Sequence, residues 1–226
     1  KSNPRSRDSS MSFEISRIDL RYESCRLSHA ASERRLLGEV AEQGIKEPLL
    51  GVVGRDAHVL LDGFKRYRCA RRRGIHLGPF RSLADDDATA ILALMRLANV
   101  PCLTPLEQAC LIDELRTVHK LTVREIAARL GRSTAWVSVR QGLLAELTPG
   151  IKSRIMRGEF PLSAYMYNLR PVRRLTTAQP AEVEDFVAAT AGKGLSVRDI
   201  GALAAGYFRG GEDFRGQLAS GDVNWC

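Results

Sequence analysis

Apolar residues recur along this chain with two different spacings, and the change between them divides it. Near the start, short runs favour strands alternating with helices. Phe13–Leu20 alternates as a strand. Ser28–Gln43 has helical spacing, with Leu36, Leu37 and Val40 on one face, and Gly44 stops it. Ile45–Val53 reads as a strand with Pro48 at its start or edge, and His58–Asp62 as a second. Gly63 then opens a basic helix, Phe64–Arg73, that ends at Gly74. Phe80–Leu83 is a further strand and Asp85–Ala98 a helix, which gives an α+β pattern. Beyond residue 100 every patterned stretch is helical: Thr104–Val118, two helices within Leu121–Leu144, Ile151–Arg157, Pro161–Leu175, Pro180–Thr190 and Val197–Phe208. The pattern predicts a disordered basic arm over 1–12, an α+β domain over 13–100, an all-α domain over 101–208 and a flexible tail over 209–226.

Leu121–Leu144 is the most informative of these stretches. Thr122 and Glu125 form a capping box, Gly131 ends the first helix, and Ser133 caps a second that begins at Thr134. Ala127, small, Gly131, at the turn, and Val137, apolar, have the spacing of a helix-turn-helix. The second helix of such a pair lies in the major groove, and here it would turn Ser133, Thr134, Ala135, Ser138 and Arg140 outward. Arg132 and Gln141 flank that set, and Lys152 and Arg154 follow on the next basic helix. An ordinary helical corner in a core is the competing reading.

Charge favours the first reading. Net charge is +8, with 27% charged and 44% hydrophobic residues, so the chain is globular and suits a polyanionic partner. No apolar run reaches the ~18 residues of a membrane span, and the expected location is cytoplasmic, on the nucleoid or a plasmid. Five cysteines at wide spacing, with no CxxC pair, read as reduced thiols and supply no metal site. Tyr165 and Tyr167 interleave with Arg170, Arg173 and Arg174, a composition that suits either nucleic acid or a helical core.

Leu60–Gly74 carries a second candidate site. A strand runs into Gly63, and the following helix brings its positive end together with Lys65, Arg66 and Arg68. That combination suits a phosphate; a solvated cationic face is the alternative.

Four separated motifs resemble the ParB/Spo0J/Noc (ParB/RepB/KorB-like) partition proteins. GIKEPLLGVV (Gly44–Val53) is similar to that family's Gly-Ile-x-Gln-Pro-Leu-x-Val strand, and GFKRYRCA (Gly63–Ala70) to its Gly-Glu-Arg-Arg-x-Arg-Ala box. LANVPCLTPLEQA (Leu97–Ala109) and GLSVRDIGALA (Gly194–Ala204) match later motifs in order. The resemblance implies a ParB-like, sulfiredoxin-like α+β domain followed by an all-α helix-turn-helix DNA-binding domain. It implies CTP with Mg²⁺ as a nucleotide ligand, held through Gly63, Lys65, Arg66, Arg68 and Asn99. It also implies a homodimer and a ParA-type ATPase partner. Two family glutamates are replaced, by Phe64 and Ala98, which argues against CTP hydrolysis and leaves no catalytic residue to assign. The 17 residues Gly210–Cys226 are too few for the family's C-terminal dimerisation domain.

The leading expectation is sequence-specific binding of double-stranded DNA in plasmid or chromosome partition. The alternatives are an accessory DNA-binding factor of a mobile element or plasmid, and a nucleotide-dependent enzyme built on the first domain.

Overall fold

The computed structural model describes residues 11–28, 30–97, 103–175 and 178–209. Residues 1–10 of the expected arm, most of the tail, Ala98, Asn99 and Cys102 lie outside the described residues, as does the 100/101 boundary; Met11 and Ser12, expected in the arm, instead open the first strand. The chain forms two compact units, Lys1–Leu144 and Ala145–Cys226.

The first unit is built on a mixed sheet. β1 (Met11–Glu14), β2 (Ile18–Asp19), β3 (Leu49–Val52), β4 (His58–Asp62) and β5 (Leu77–Ala84) lie in the order β1-β5-β3-β4-β2. β5 pairs antiparallel with β1 and parallel with β3; β4 pairs antiparallel with β3 and parallel with β2. Every residue of β3 and β4 is buried, which is why LLGV and HVLLD lack alternation. The single strand expected over Phe13–Leu20 is instead two, separated by the 3₁₀ turn Ile15–Arg17, whose Ile15 enters the core. β1 and β2 stand at opposite edges of the sheet. The four steps from Glu14 to Ile18 reach at most ~14 Å, whereas four flat strand spacings need ~19 Å. The sheet must therefore curl to bring its edges together.

Among the described residues, six α-helices complete this unit: α1 (Ala30–Gln43), α2 (Phe64–Arg72), α3 (Asp87–Arg96), α4 (Pro105–Thr117), α5 (Val123–Leu130) and α6 (Thr134–Glu146), the last running past the unit's end. Their starts are local chemistry. Asp86 accepts from the Thr89 amide, and Thr104 and Glu107 bond reciprocally with Pro105 in the first helical position. One core contains Leu60, Leu61 and Phe80 from the sheet and continues into Leu111, Ile112 and Leu115 of α4. Ile126, Ala127 and Val137 belong to it too, so the helical pair is rooted in the same interior as the sheet.

The second unit is helical: α7 (Pro149–Met156), α8 (Leu162–Ala164), a π-helical turn Tyr165–Leu169, α9 (Arg170–Leu175), α10 (Pro180–Thr190) and α11 (Val197–Arg209). α7 begins two residues earlier than expected because Thr148 caps it and Pro149 fits its first turn. Phe160, Tyr165, Leu169, Phe186 and Ile200 are buried here. No described helix in either unit is long and apolar enough to cross a membrane.

Candidate nucleic-acid interface

The α5–α6 pair is fixed at both of its joints. Thr122 Oγ1 accepts the Glu125 amide while the Glu125 carboxylate accepts the Thr122 amide at 2.8 Å. The Thr122 hydroxyl also donates to that carboxylate at 2.7 Å, and this bond, with the one from the Thr122 amide, holds the Glu125 carboxyl below the usual carboxylate range. Gly131 closes α5 at φ 64°, a left-handed conformation that a Cβ would strain, and the Arg132 amide bonds back to the Ala127 carbonyl. Ser133 Oγ accepts the Trp136 amide at 3.1 Å and so caps α6. Ile126 and Val137 are fully buried and Ala127 nearly so, locking the angle between the helices.

This anchoring leaves one face of α6 open. Arg132, Ser133, Thr134, Ala135 and Ser138 are all exposed, and Ser138 donates to the Thr134 carbonyl. Arg140 departs from the outward position expected for it. Its guanidinium carbon lies 3.6 Å above the Trp136 ring, its Nε donates to Gln108 Oε1 at 2.9 Å, and Nη1 donates to the Trp136 carbonyl. It sits there because Arg140 is one turn beyond Trp136, on the flank that faces α4. Burial, with the nearby charge of Arg132, lowers its pKa, and an arginine this basic stays charged. Gln141 is half-buried. Trp136 and Gln108 were not legible as partners of this site, although the i, i+4 spacing of Trp136 and Arg140 is a usable signal. Val139, also unassigned from the sequence, is 56% exposed.

The candidate phosphate site at the start of α2 has the expected backbone but not the expected free charge. Gly63 has φ 98°, and a Cβ there would come within 2.7 Å of Leu49 Cδ2. In front of it lies a cavity of about 420 Å³. Arg66, which lines the cavity, and Arg68 are both engaged by carboxylates and carbonyls of the protein. Arg66 donates to the carbonyls of Glu47 and Pro48 and pairs with the Glu47 carboxylate at 3.1 Å. Arg68 pairs with Glu33 and, at 2.5 Å, with Glu23. Burial alone would raise the Glu33 pKa, but the Arg68 hydrogen bonds hold it below its ordinary value. Lys65 donates to Ser32 Oγ at 3.0 Å.

The cavity wall itself carries buried carboxylates. Arg26 binds Asp62 at 2.5 Å and Glu107 at 3.3 Å, and Glu107 also accepts the Leu27 amide. Arg26 Nη1 is buried with no hydrogen-bond partner among the described residues. As folded, these residues do not fit a triphosphate: two carboxylates face the space, and the guanidiniums that would neutralise the phosphates are already paired.

In the second unit, Lys152 and Arg154 are half-exposed on α7, and Arg154 Nη1 lies 3.9 Å from Glu159. The interleaved aromatic and basic stretch separates into distinct roles. Tyr165 is buried and Tyr167 is 72% exposed. Arg170 holds the Glu146 carboxylate at 2.6 and 3.0 Å, and Arg173 donates to the Glu146 carbonyl. These two cations are used within the protein; the Arg174 side chain lies outside the described residues.

Comparison with known proteins finds relatives of the kind the motifs resemble. The KorB domain family matches residues 119–205. The chromosome-partitioning protein Spo0J of Thermus thermophilus is 30% identical over 174 residues, covering 76% of this chain and 61% of that protein. The chain is thus similar to the ParB/Spo0J chromosome-partitioning proteins. A probable chromosome-partitioning protein ParB of Xylella fastidiosa is 28% identical over 182 residues, 80% of this chain and 56% of its own length. The chain thus spans a little over half the length of these relatives. A C-terminally truncated ParB from Caulobacter crescentus, solved in complex with the centromeric parS site, overlays 86% of this chain and 98% of its own. Its TM-score is 0.37 at 22% identity. The same protein solved with CTP-γ-S overlays with a TM-score of 0.35.

Proposed function

We propose that this protein binds double-stranded DNA sequence-specifically through α6, in chromosome or plasmid partition. The observation that carries the reading is the open face of α6: Ser133, Thr134, Ala135 and Ser138 are exposed on a helix whose opposite side is sealed into the core. Exposed Arg124, Arg129 and Arg132 lie on α5 and the turn, where phosphates would flank a helix inserted in the major groove. Lys152 and Arg154 on α7 are proposed as further phosphate contacts. Kinship with chromosome-partitioning proteins supports this over a helical corner of purely structural role. Homodimerisation, a ParA-type ATPase partner and residence on the nucleoid or a plasmid belong to the same proposal. An accessory DNA-binding role on a mobile element uses the same surface.

Nucleotide binding is a second reading, favoured by the 420 Å³ cavity at the Gly63 turn and by Lys65, whose ammonium meets only a hydroxyl among the contacts described. It requires Arg66 and Arg68 to exchange carboxylates for phosphates. Selection from a random duplex library, run with and without CTP and Mg²⁺, tests both readings. Enrichment of one motif is expected; no enrichment rejects the DNA reading, and an unchanged outcome with nucleotide rejects the second.

A further inference from the structure

The open face of α6 is short and uncharged. Ala135, Ser138, Val139 and Gly142 follow one another at i, i+3, i+4 and i+7, and so share one stripe. Val139 is 56% exposed at its centre, and a Cβ added at Gly142 would meet nothing within 4 Å. The long side chains that read bases elsewhere are missing from this stripe. Arg140 is held against Trp136 and Gln108, and Trp136 is half-buried beneath it. Small residues let a helix backbone come close to the floor of the major groove, where a short side chain can reach a base.

Two kinds of chemistry then remain for reading sequence. The hydroxyls of Thr134 and Ser138 can donate or accept, so they discriminate weakly between bases. The methyl groups of Ala135 and Val139 can do one thing only, which is to cover another apolar group. In the major groove that group is the C5 methyl of thymine. Val139 suits the task because a β-branched side chain on a helix is held in one rotamer, so its methyls lose little freedom on contact.

We propose that α6 reads its target through thymine methyl groups, with Val139 as the residue that sets specificity and Ala135 as its neighbour in the contact. This rests on the proposed DNA binding and adds the base feature that is recognised. It also removes Arg140 from base reading and leaves it as a side chain that braces α6 against α4.

The test uses the full chain and a duplex enriched from the random library. Each thymine is replaced singly by deoxyuridine, which keeps base pairing and removes only the methyl. Wild type should lose about four-fold in affinity at one or two thymines, the worth of one buried methyl-sized group. Val139→Ala should bind the thymine duplex more weakly by a similar factor and lose nothing more at those positions. Its side chain is exposed, so thermal unfolding should match wild type and separate reading from folding. Losses that simply multiply between Val139→Ala and deoxyuridine, or a flat scan at every thymine, overturn the inference. Failure to enrich any duplex instead overturns the DNA-binding reading beneath it.

Discussion

Helices α2 and α6 look alike in one respect and differ in the one that decides their use. Both present polar side chains next to a glycine turn, and α2 carries far more charge. Yet the guanidiniums of Arg66 and Arg68 are paired with Glu47, Glu33 and Glu23, whereas Thr134, Ala135 and Ser138 of α6 stand exposed. A cation counted in a sequence is not a cation available at a surface. The two arginines expected to meet a phosphate are wired into the protein, and the nearly neutral helix carries the open face.

The sharpest way to break that contrast is to remove Arg26. Arg26→Ala leaves Asp62 and Glu107 buried without their partner, and should cost about 3–5 kcal/mol in urea unfolding. A cost near zero would mean that the cavity wall is open to water and free to take a ligand. Arg68→Ala comes next. It strands Glu33, and should destabilise by about 2 kcal/mol while leaving affinity for the selected duplex unchanged. A fall in DNA affinity at unchanged stability would give α2 a binding role after all.

The same pair predicts a pH signature. Glu33 has a depressed folded-state pKa, so its stabilisation is present above the unfolded value of about 4.3 and lost as pH falls through the folded value. Glu33→Gln should lower Tm at neutral pH and flatten the loss of Tm below about pH 4. The smallest change in stability is expected at the other end of the comparison. Arg132→Ala should leave Tm unaltered, weaken binding to selected and random duplexes alike, and reduce the slope of log affinity against log salt by about 1.

What could be read in advance follows how far apart the partners lie along the chain. The capping boxes Thr104/Glu107 and Thr122/Glu125 span three residues each, and both form as their spacing implies. The Gly131 turn and the burial of Ile126, Ala127 and Val137 are similarly local. Arg68 and Glu33 are 35 residues apart, and Arg26 and Asp62 are 36 apart, so nothing near either arginine announces its carboxylate. Arg140 is hidden for the same reason, since Gln108 stands 32 residues before it. The split of Phe13–Leu20 was illegible because it depends on the curl of the whole sheet. Alternation along eight residues carries no record of where the sheet's two edges meet.

Glu107 and Gln108 are consecutive residues in the first turn of α4, and they point to different neighbours. Glu107 grips Arg26 beside the cavity, and Gln108 grips Arg140 on α6. That capped turn carries a load on each side. The cavity wall and the brace on α6 therefore share one support.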